Sequence, residues 1–202
     1  MSAGVESPAP MPKVVAEYKA QARSRIVDAA LTVFRRKGFR SATMDDIASE
    51  IGVSKGALYL YFHTKIELLS EIQRRSRSEV LEAWEGLIDE GDIAEGIAHS
   101  LDGVFSGKFD AGVWHEIAGE SAKDPEVRAA LTADHRDDVR LMRRFLQRLE
   151  DRGRIPKMEA PQIVAEIIMS LLQATAVWVM LQEPMPEARR RLIREIRLVL
   201  HL

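Results

Sequence analysis

The sequence predicts an all-α protein, made of about nine consecutive helices. Apolar residues recur at helical spacing along most of the chain, strand-like alternation is absent, and capping or helix-ending residues separate the periodic segments. The 202 residues are 46% hydrophobic and 30% charged, which is typical of a globular protein. Because the chain has no cysteine, disulfides, thiol nucleophiles and thiolate-bound metal centres are excluded.

Charge is distributed unevenly along the chain, although the formal net charge is only −2. Residues 1–65 carry ten Lys or Arg against six Asp or Glu, and therefore a net charge of +4. Residues 66–202 carry nineteen against twenty-five, which gives −6. This asymmetry predicts that the amino-terminal end binds a polyanion.

The amino terminus combines a predicted tail with a first helix. Residues 1–12 contain three prolines and lack the basic start and apolar run of a signal peptide. We expect residues 1–17 to form a disordered tail. The first helix is predicted to begin near Tyr18, to carry a one-sided apolar stripe, and to stop at Gly38 after a basic last turn.

The next three helices each follow a residue suited to capping, namely Thr43, Ser54 and Thr64. Thr43, with Asp46 three residues later, resembles a capping box. The first of them is predicted to end at Gly52, and the third, a long helix, near Gly91.

Five further helices follow, with predicted ranges of 93–105, 111–122, 125–151, 163–181 and 187–200. The segment 163–181 is nearly long enough to cross a membrane, but Glu166 and several polar residues interrupt it. We interpret it as a helix buried within protein or at a dimer interface.

Residues 44–62 are predicted to form a helix-turn-helix. Ala48 provides the small residue where two steeply crossing helices touch, and Gly52 tolerates the positive φ of the turn. The apolar positions expected to face the core are Ile47, Ile51, Val53, Leu58 and Tyr61.

The second of these helices has the side chains needed to enter a DNA groove. Small residues at Gly56 and Ala57 allow close approach to base edges, and Ser54 and Lys55 lie at an amino end that attracts phosphate. A generic helical hairpin is the alternative, but the complete set of caps and core positions favours the DNA-binding motif.

Three segments, FRRKGF (34–39), TMDDIA (43–48) and GVSKGALY (52–59), together with Tyr61, Phe62 and Lys65, resemble the TetR family of bacterial transcriptional regulators. The resemblance covers about residues 20–72. It implies a homodimer with a three-helix DNA-binding domain at 18–65. It also implies a helical effector-binding and dimerisation domain at 66–202, which dimerises through the last two helices.

The resemblance also implies particular DNA contacts. Phosphate contacts would be Thr43, Ser54, Lys55, Tyr59, Tyr61 and Lys65. Base contacts would come from Lys55, Gly56, Ala57 and Leu60. Leu60 departs from the polar or aromatic residue that the family often has there, and it could touch a thymine methyl group.

An effector pocket among the fifth to eighth helices is a further implication of the resemblance. Large apolar side chains suited to an adaptable pocket are Phe105, Trp114, Met142, Phe145, Met169 and Trp178. Polar side chains that could orient a ligand are His99, His115, Glu116, Glu120 and Gln173. Plain core packing is the alternative for each apolar residue. The histidines lack metal-ligand spacing, and we predict neither a metal nor a cofactor.

The sequence therefore predicts a cytoplasmic, homodimeric repressor that a small, largely apolar effector releases from a near-palindromic operator. One alternative is a helix-turn-helix DNA-binding factor without a small-molecule switch, in an architectural or occlusion role. An enzyme is a remote alternative, because no nucleophile elbow, phosphate loop, metal motif or acid pair stands out.

Overall fold

The computed structural model describes residues 13–105, 111–181 and 183–202, and within these ranges every regular element is an α-helix. The predicted all-α class and the helix order are confirmed. The helices are α1 (Lys13–Lys37), α2 (Met44–Ile51), α3 (Lys55–Tyr59), α4 (Lys65–Glu85), α5 (Ile93–Phe105), α6 (Ala111–Glu120), α7 (Pro125–Asp151), α8 (Pro161–Met180) and α9 (Met185–Leu200).

Two predicted boundaries were wrong. α1 begins at Lys13, so the predicted tail at 1–17 overlaps it by five residues, while residues 1–12 lie outside the described ranges. No proline or glycine lies between Lys13 and Tyr18 to prevent this early start. α4 ends at Glu85 rather than near Gly91, because the chain tightens into i to i−3 hydrogen bonds after Trp84.

An amino-terminal core holds α1, α2, α3 and the first turns of α4 together. Its centre is formed by fully shielded side chains, including Phe34, Ile47, Leu58 and Phe62. Further side chains enter from outside the predicted 18–65 domain, and these are Leu68, Leu69, Ile72, Val113, Ile117 and Val127. Helices as short as α2 and α3 bury little apolar surface alone, so α4, α6 and α7 complete this core.

A separate carboxy-terminal core lies between the end of α4 and helices α5, α7, α8 and α9. α7 packs along α8, and α8 packs along α9. The largest fully buried side chains at its centre include Ile97, Met142, Leu146, Leu149 and Ile168. α4 contributes to both cores and therefore connects them.

α8 is long and apolar enough, by composition, to cross a membrane, with a mean hydropathy of 1.9. A single helix of this kind is weak evidence for a membrane span, because core and interface helices of soluble proteins have the same composition. One face of α8 packs on α7 and α9, while Ile163, Ile167 and Trp178 are exposed.

Candidate nucleic-acid interface

The predicted capping box at the start of α2 is present. Thr43 Oγ1 accepts a hydrogen bond of 3.1 Å from the Asp46 amide, and Asp46 Oδ2 accepts one of 3.0 Å from the Thr43 amide. A hydrogen bond from Lys37, with further ones from Thr43, lowers the pKa of Asp46 to about 2. These contacts fix the beginning of α2 against the end of α1.

The turn and the start of α3 also have the predicted local structure. Gly52 has a φ of 77°, and its amide donates to the Ala48 carbonyl at 3.1 Å. Ser54 Oγ accepts from the Ala57 amide at 3.2 Å and so caps α3. The motif therefore has the capped and closed geometry of a helix-turn-helix.

Four of the five predicted core positions of the motif face inward. Ile47 and Leu58 are fully shielded, and Ile51 and Tyr61 are half-buried against the amino-terminal core. The prediction for Val53 was wrong, because 39% of this residue is exposed. Val53 lies in the turn between α2 and α3, at the surface of the motif.

The residues predicted to meet DNA are largely open to solvent around α3. Leu60 is 82% exposed, and Ser54, Lys55 and Gly56 are also exposed. A Cβ added at Gly56 would find no atom within 4 Å, so this position leaves open space in front of the helix. Half-buried positions are held by Ala57, Tyr59 and Tyr61. A groove of DNA can therefore approach the exposed side of α3 closely.

Lys55 has a partner that the sequence analysis did not identify. Its Nζ lies 2.7 Å from Asp45 Oδ1 of α2 and 5.9 Å from the centre of the Tyr59 ring. The hydrogen bond to Asp45 raises the pKa of Lys55. Because the pair bridges α2 and α3, Asp45 holds the ammonium group at the amino end of α3. Ten positions separate Asp45 from Lys55, so no short-range sequence signal indicated this pairing.

Lys65, predicted as a phosphate contact, is directed towards the loop between α1 and α2. Its Nζ donates to the carbonyls of Phe39 at 2.7 Å and Arg40 at 3.1 Å, and lies 4.9 Å from the centre of the Phe39 ring. Desolvation in this half-buried position lowers the pKa of Lys65. The ammonium group is therefore bound by the protein backbone.

Glu116 of α6, predicted as a possible ligand-orienting residue, contacts the same loop. Its Oε2 accepts from the Phe39 amide and its Oε1 accepts from the Arg40 amide, each at 2.8 Å. More than seventy positions separate Glu116 from this loop, so no short-range sequence signal indicated the contact.

The residues predicted to line an effector pocket do not lie together in either of two cavities of the described residues, one between α1, α4 and α5 and one beside Trp84. Met142 and Phe145 are buried in the carboxy-terminal core, whereas Gln173 and Trp178 are exposed on α8. Trp114, His115 and Met169 are half-buried, and the side chain of Phe105 lies outside the described part of the structure.

A cavity of about 480 Å³ opens instead between α1, α4 and α5. We call it the α1–α4–α5 cavity. Its lining includes Val27, Leu31, Arg35, Ile72, Arg75, Val80 and His99. Only His99 among them was singled out from the sequence as a possible ligand contact. This volume falls in the range of small-molecule sites, and the cavity touches both cores. A second cavity, of about 260 Å³, is lined in part by Phe145 and Trp84.

The fold and the capped α2–turn–α3 surface define a helix-turn-helix, DNA-binding transcriptional regulator. Residues 26–72 match the family model of bacterial regulatory proteins of the tetR family. The chain is 29% identical over 165 residues to the HTH-type transcriptional regulator YfiR of Bacillus subtilis, spanning 79% of this chain and 80% of YfiR. The chain is therefore similar to TetR-family regulators over residues 26–72 and to an HTH-type transcriptional regulator over most of its length.

Solved structures share the overall fold. A TetR-family regulator from Rhodococcus sp. superposes with a TM-score of 0.74 at 22% identity, over 90% of this chain and 99% of that one. SmeT, in a complex with triclosan, superposes with a TM-score of 0.66 at 24% identity, over 90% of this chain and 88% of that one.

Proposed function

We propose that this protein is a cytoplasmic, homodimeric repressor that a small, largely apolar effector releases from a near-palindromic operator. The observation that carries the proposal is the capped α2–turn–α3 motif, in which Lys55, Gly56 and Leu60 are exposed. Such a surface suits insertion of α3 into a major groove.

In this proposal Thr43, Ser54, Lys55, Tyr59 and Tyr61 contact phosphates and position each subunit. Gly56, Ala57 and Leu60 approach the base edges, where the apolar Leu60 side chain suits a thymine methyl group.

The proposed dimer forms through α8 and α9. Large apolar side chains exposed at the end of the chain support this arrangement, namely Ile163, Ile167, Val177, Trp178, Leu181, Leu198 and Leu202. Two helices from each subunit would bury these groups in a four-helix interface. The two copies of α3 would then reach successive major grooves, about one helical turn apart.

The proposed switch requires an effector that binds the released pose more tightly than the DNA-bound pose. SmeT has been captured with triclosan, which supports a small molecule as the effector class for this chain. The α1–α4–α5 cavity lies between the two cores, so a molecule bound there would act where the cores meet.

Fluorescence-anisotropy titrations with DNA from upstream of the protein's own gene, beside scrambled DNA, test this function at two salt concentrations. We expect specific binding that weakens steeply with salt. Ala57→Leu should weaken operator binding by about tenfold or more because it blocks close approach. Ala133→Leu, at an exposed position on α7, is the matched control and should bind as the wild type. If neither upstream DNA nor sites selected from random DNA outcompete scrambled DNA, the repressor proposal is wrong.

A further inference from the structure

The loop between α1 and α2 is held by two side chains of opposite charge from two other helices. Glu116 of α6 accepts hydrogen bonds from the amides of Phe39 and Arg40, both at 2.8 Å. Lys65 of α4 donates to the carbonyls of the same two residues, at 2.7 and 3.1 Å. The backbone polar groups of both loop residues are therefore satisfied by these side chains.

The carboxylate of Glu116 fits tightly against the loop. A Cβ added at Gly38 would lie 2.6 Å from Glu116 Oε2, and Gly38 has a φ of 77°. Glycine at this position therefore provides both the left-handed backbone and the clearance for the carboxylate.

α6 is well anchored as the support for this contact. Its side chains Val113 and Ile117 enter the amino-terminal core, where Ile117 is fully shielded. α6 also packs against α7 and α8. The anchored helix therefore keeps Glu116 in place beside the loop.

The loop leads directly into the DNA-facing motif. Thr43, three residues beyond Arg40, caps α2, and Asp45 on α2 holds Lys55 at the start of α3. The loop backbone thus determines where α2 begins, and α2 determines where α3 is presented.

We propose that Glu116 is a positioning residue for operator binding and that Lys65 is its partner rather than a phosphate contact. Together they hold the α1–α2 loop in the pose that presents α3. This inference rests on the DNA contacts of the proposed function.

Glu116→Gln tests the inference through the sign of its effect on the operator Kd. Removing a negative charge from a DNA-binding protein would by itself leave DNA affinity unchanged or tighter. Loss of a hydrogen-bonded carboxylate should instead raise the Kd by about tenfold, because the free energy of hydrogen bonds to charged groups corresponds to a factor of that size. Glu120→Gln, one turn further along α6, removes the same charge without touching the loop and should not weaken binding.

Amide hydrogen exchange supplies a readout confined to the loop. Exchange at Phe39 and Arg40 should accelerate in Glu116→Gln and remain at the wild-type rate in Glu120→Gln. Thermal melts of both variants establish that each is folded at the assay temperature.

Lys65→Met is a second and independent variant. If Lys65 has a positioning role, this variant should bind the operator more weakly, with an unchanged dependence of log Kd on log salt concentration. A phosphate contact predicts instead that the slope falls by about 0.9. This variant keeps the proposal testable if Glu116→Gln does not fold.

The outcomes separate the two proposals. If the wild type binds no DNA specifically, the proposed function fails. If the wild type binds its operator and Glu116→Gln binds equally well, or if Lys65→Met lowers the salt slope, the positioning role is overturned while the repressor function stands.

Discussion

Arg77 of α4 donates a hydrogen bond of 2.9 Å to the carboxylate of Asp134 of α7, and both side chains are nearly shielded from water. The same guanidinium group donates to Asp138 Oδ1 at 3.0 Å. Within the described residues, Asp134 Oδ2 is buried without a hydrogen-bond partner. Arg77 therefore compensates two carboxylates where the connecting helix meets the carboxy-terminal domain.

Arg77→Met should lower the free energy of unfolding by about 3 kcal/mol, because removing one partner of a buried ion pair leaves uncompensated charge. Urea unfolding followed by circular dichroism measures this change. Arg74→Met is the control on the same helix. Arg74 pairs with Glu71 at a largely exposed position and should contribute no more than about 1 kcal/mol. Equal losses in the two variants would contradict a special role for Arg77.

Protonation of Asp138 should stabilise the protein in mild acid. Desolvation raises the pKa of Asp138 from 3.8 to about 6, opposed by Arg77 and His135 and reinforced by Asp134 and Asp137. Because the folded-state pKa exceeds the unfolded value, the native state binds the proton more tightly. The contribution of Asp138 to the stability of the folded protein is therefore present below pH 4 and is lost as pH rises through 6.

Asp138→Asn should accordingly raise the melting temperature at pH 7.5 and flatten its pH dependence between pH 4 and 6. The neighbouring Asp137 is the control, because its pKa is lowered, chiefly by a hydrogen bond from Arg140. Asp137→Asn should lower the melting temperature at pH 7.5, since an ionised Asp137 stabilises the fold. Thermal melts of both variants across the pH range measure these changes. If both substitutions shift the melting temperature at pH 7.5 in the same direction, the raised pKa of Asp138 is refuted.

Asp45→Asn should make DNA binding less selective. Asp45 repels phosphate and holds Lys55 at the amino end of α3, so its loss should tighten binding to scrambled DNA by roughly threefold. Operator affinity should gain less, which lowers the ratio of specific to non-specific affinity. Competition anisotropy measures that ratio. Asp28→Asn, at a similarly exposed paired aspartate on α1, should leave it unchanged. An unchanged ratio in Asp45→Asn would remove the selectivity role of the pair.

Trp178→Glu should convert the proposed dimer into monomers. Trp178 is 53% exposed on α8, and a charge in the centre of an apolar four-helix interface would be strongly unfavourable. Sedimentation equilibrium measures the association state. The control Tyr18→Glu alters an even more exposed aromatic residue on α1 and should remain dimeric. A Trp178→Glu variant that still dimerises would place the interface elsewhere.

Structural features that form between residues close together in the sequence could be predicted from the sequence. The Thr43–Asp46 capping box, the Ser54 cap and the left-handed Gly52 each depend on residues a few positions apart, and all three are present. Val53 was misassigned because its burial depends on which other segments pack over the turn, and this is a property of the tertiary structure.

Features that join distant segments needed the tertiary structure. The carboxylate of Glu116 reaches a loop more than seventy positions away, and Lys65 turns to the backbone carbonyls of that same loop. The α1–α4–α5 cavity likewise lies between three helices. Hydrophobic periodicity predicts each of these helices by itself but not how they pack together.

Local periodicity and capping chemistry thus determined the helices and the helix-turn-helix, because hydrogen bonding and side-chain spacing within a few residues specify them. Only the packed structure decided which helices complete the amino-terminal core, which partners Lys65 and Glu116 take, and where a cavity opens. Those outcomes depend on how separate helices pack against one another in three dimensions.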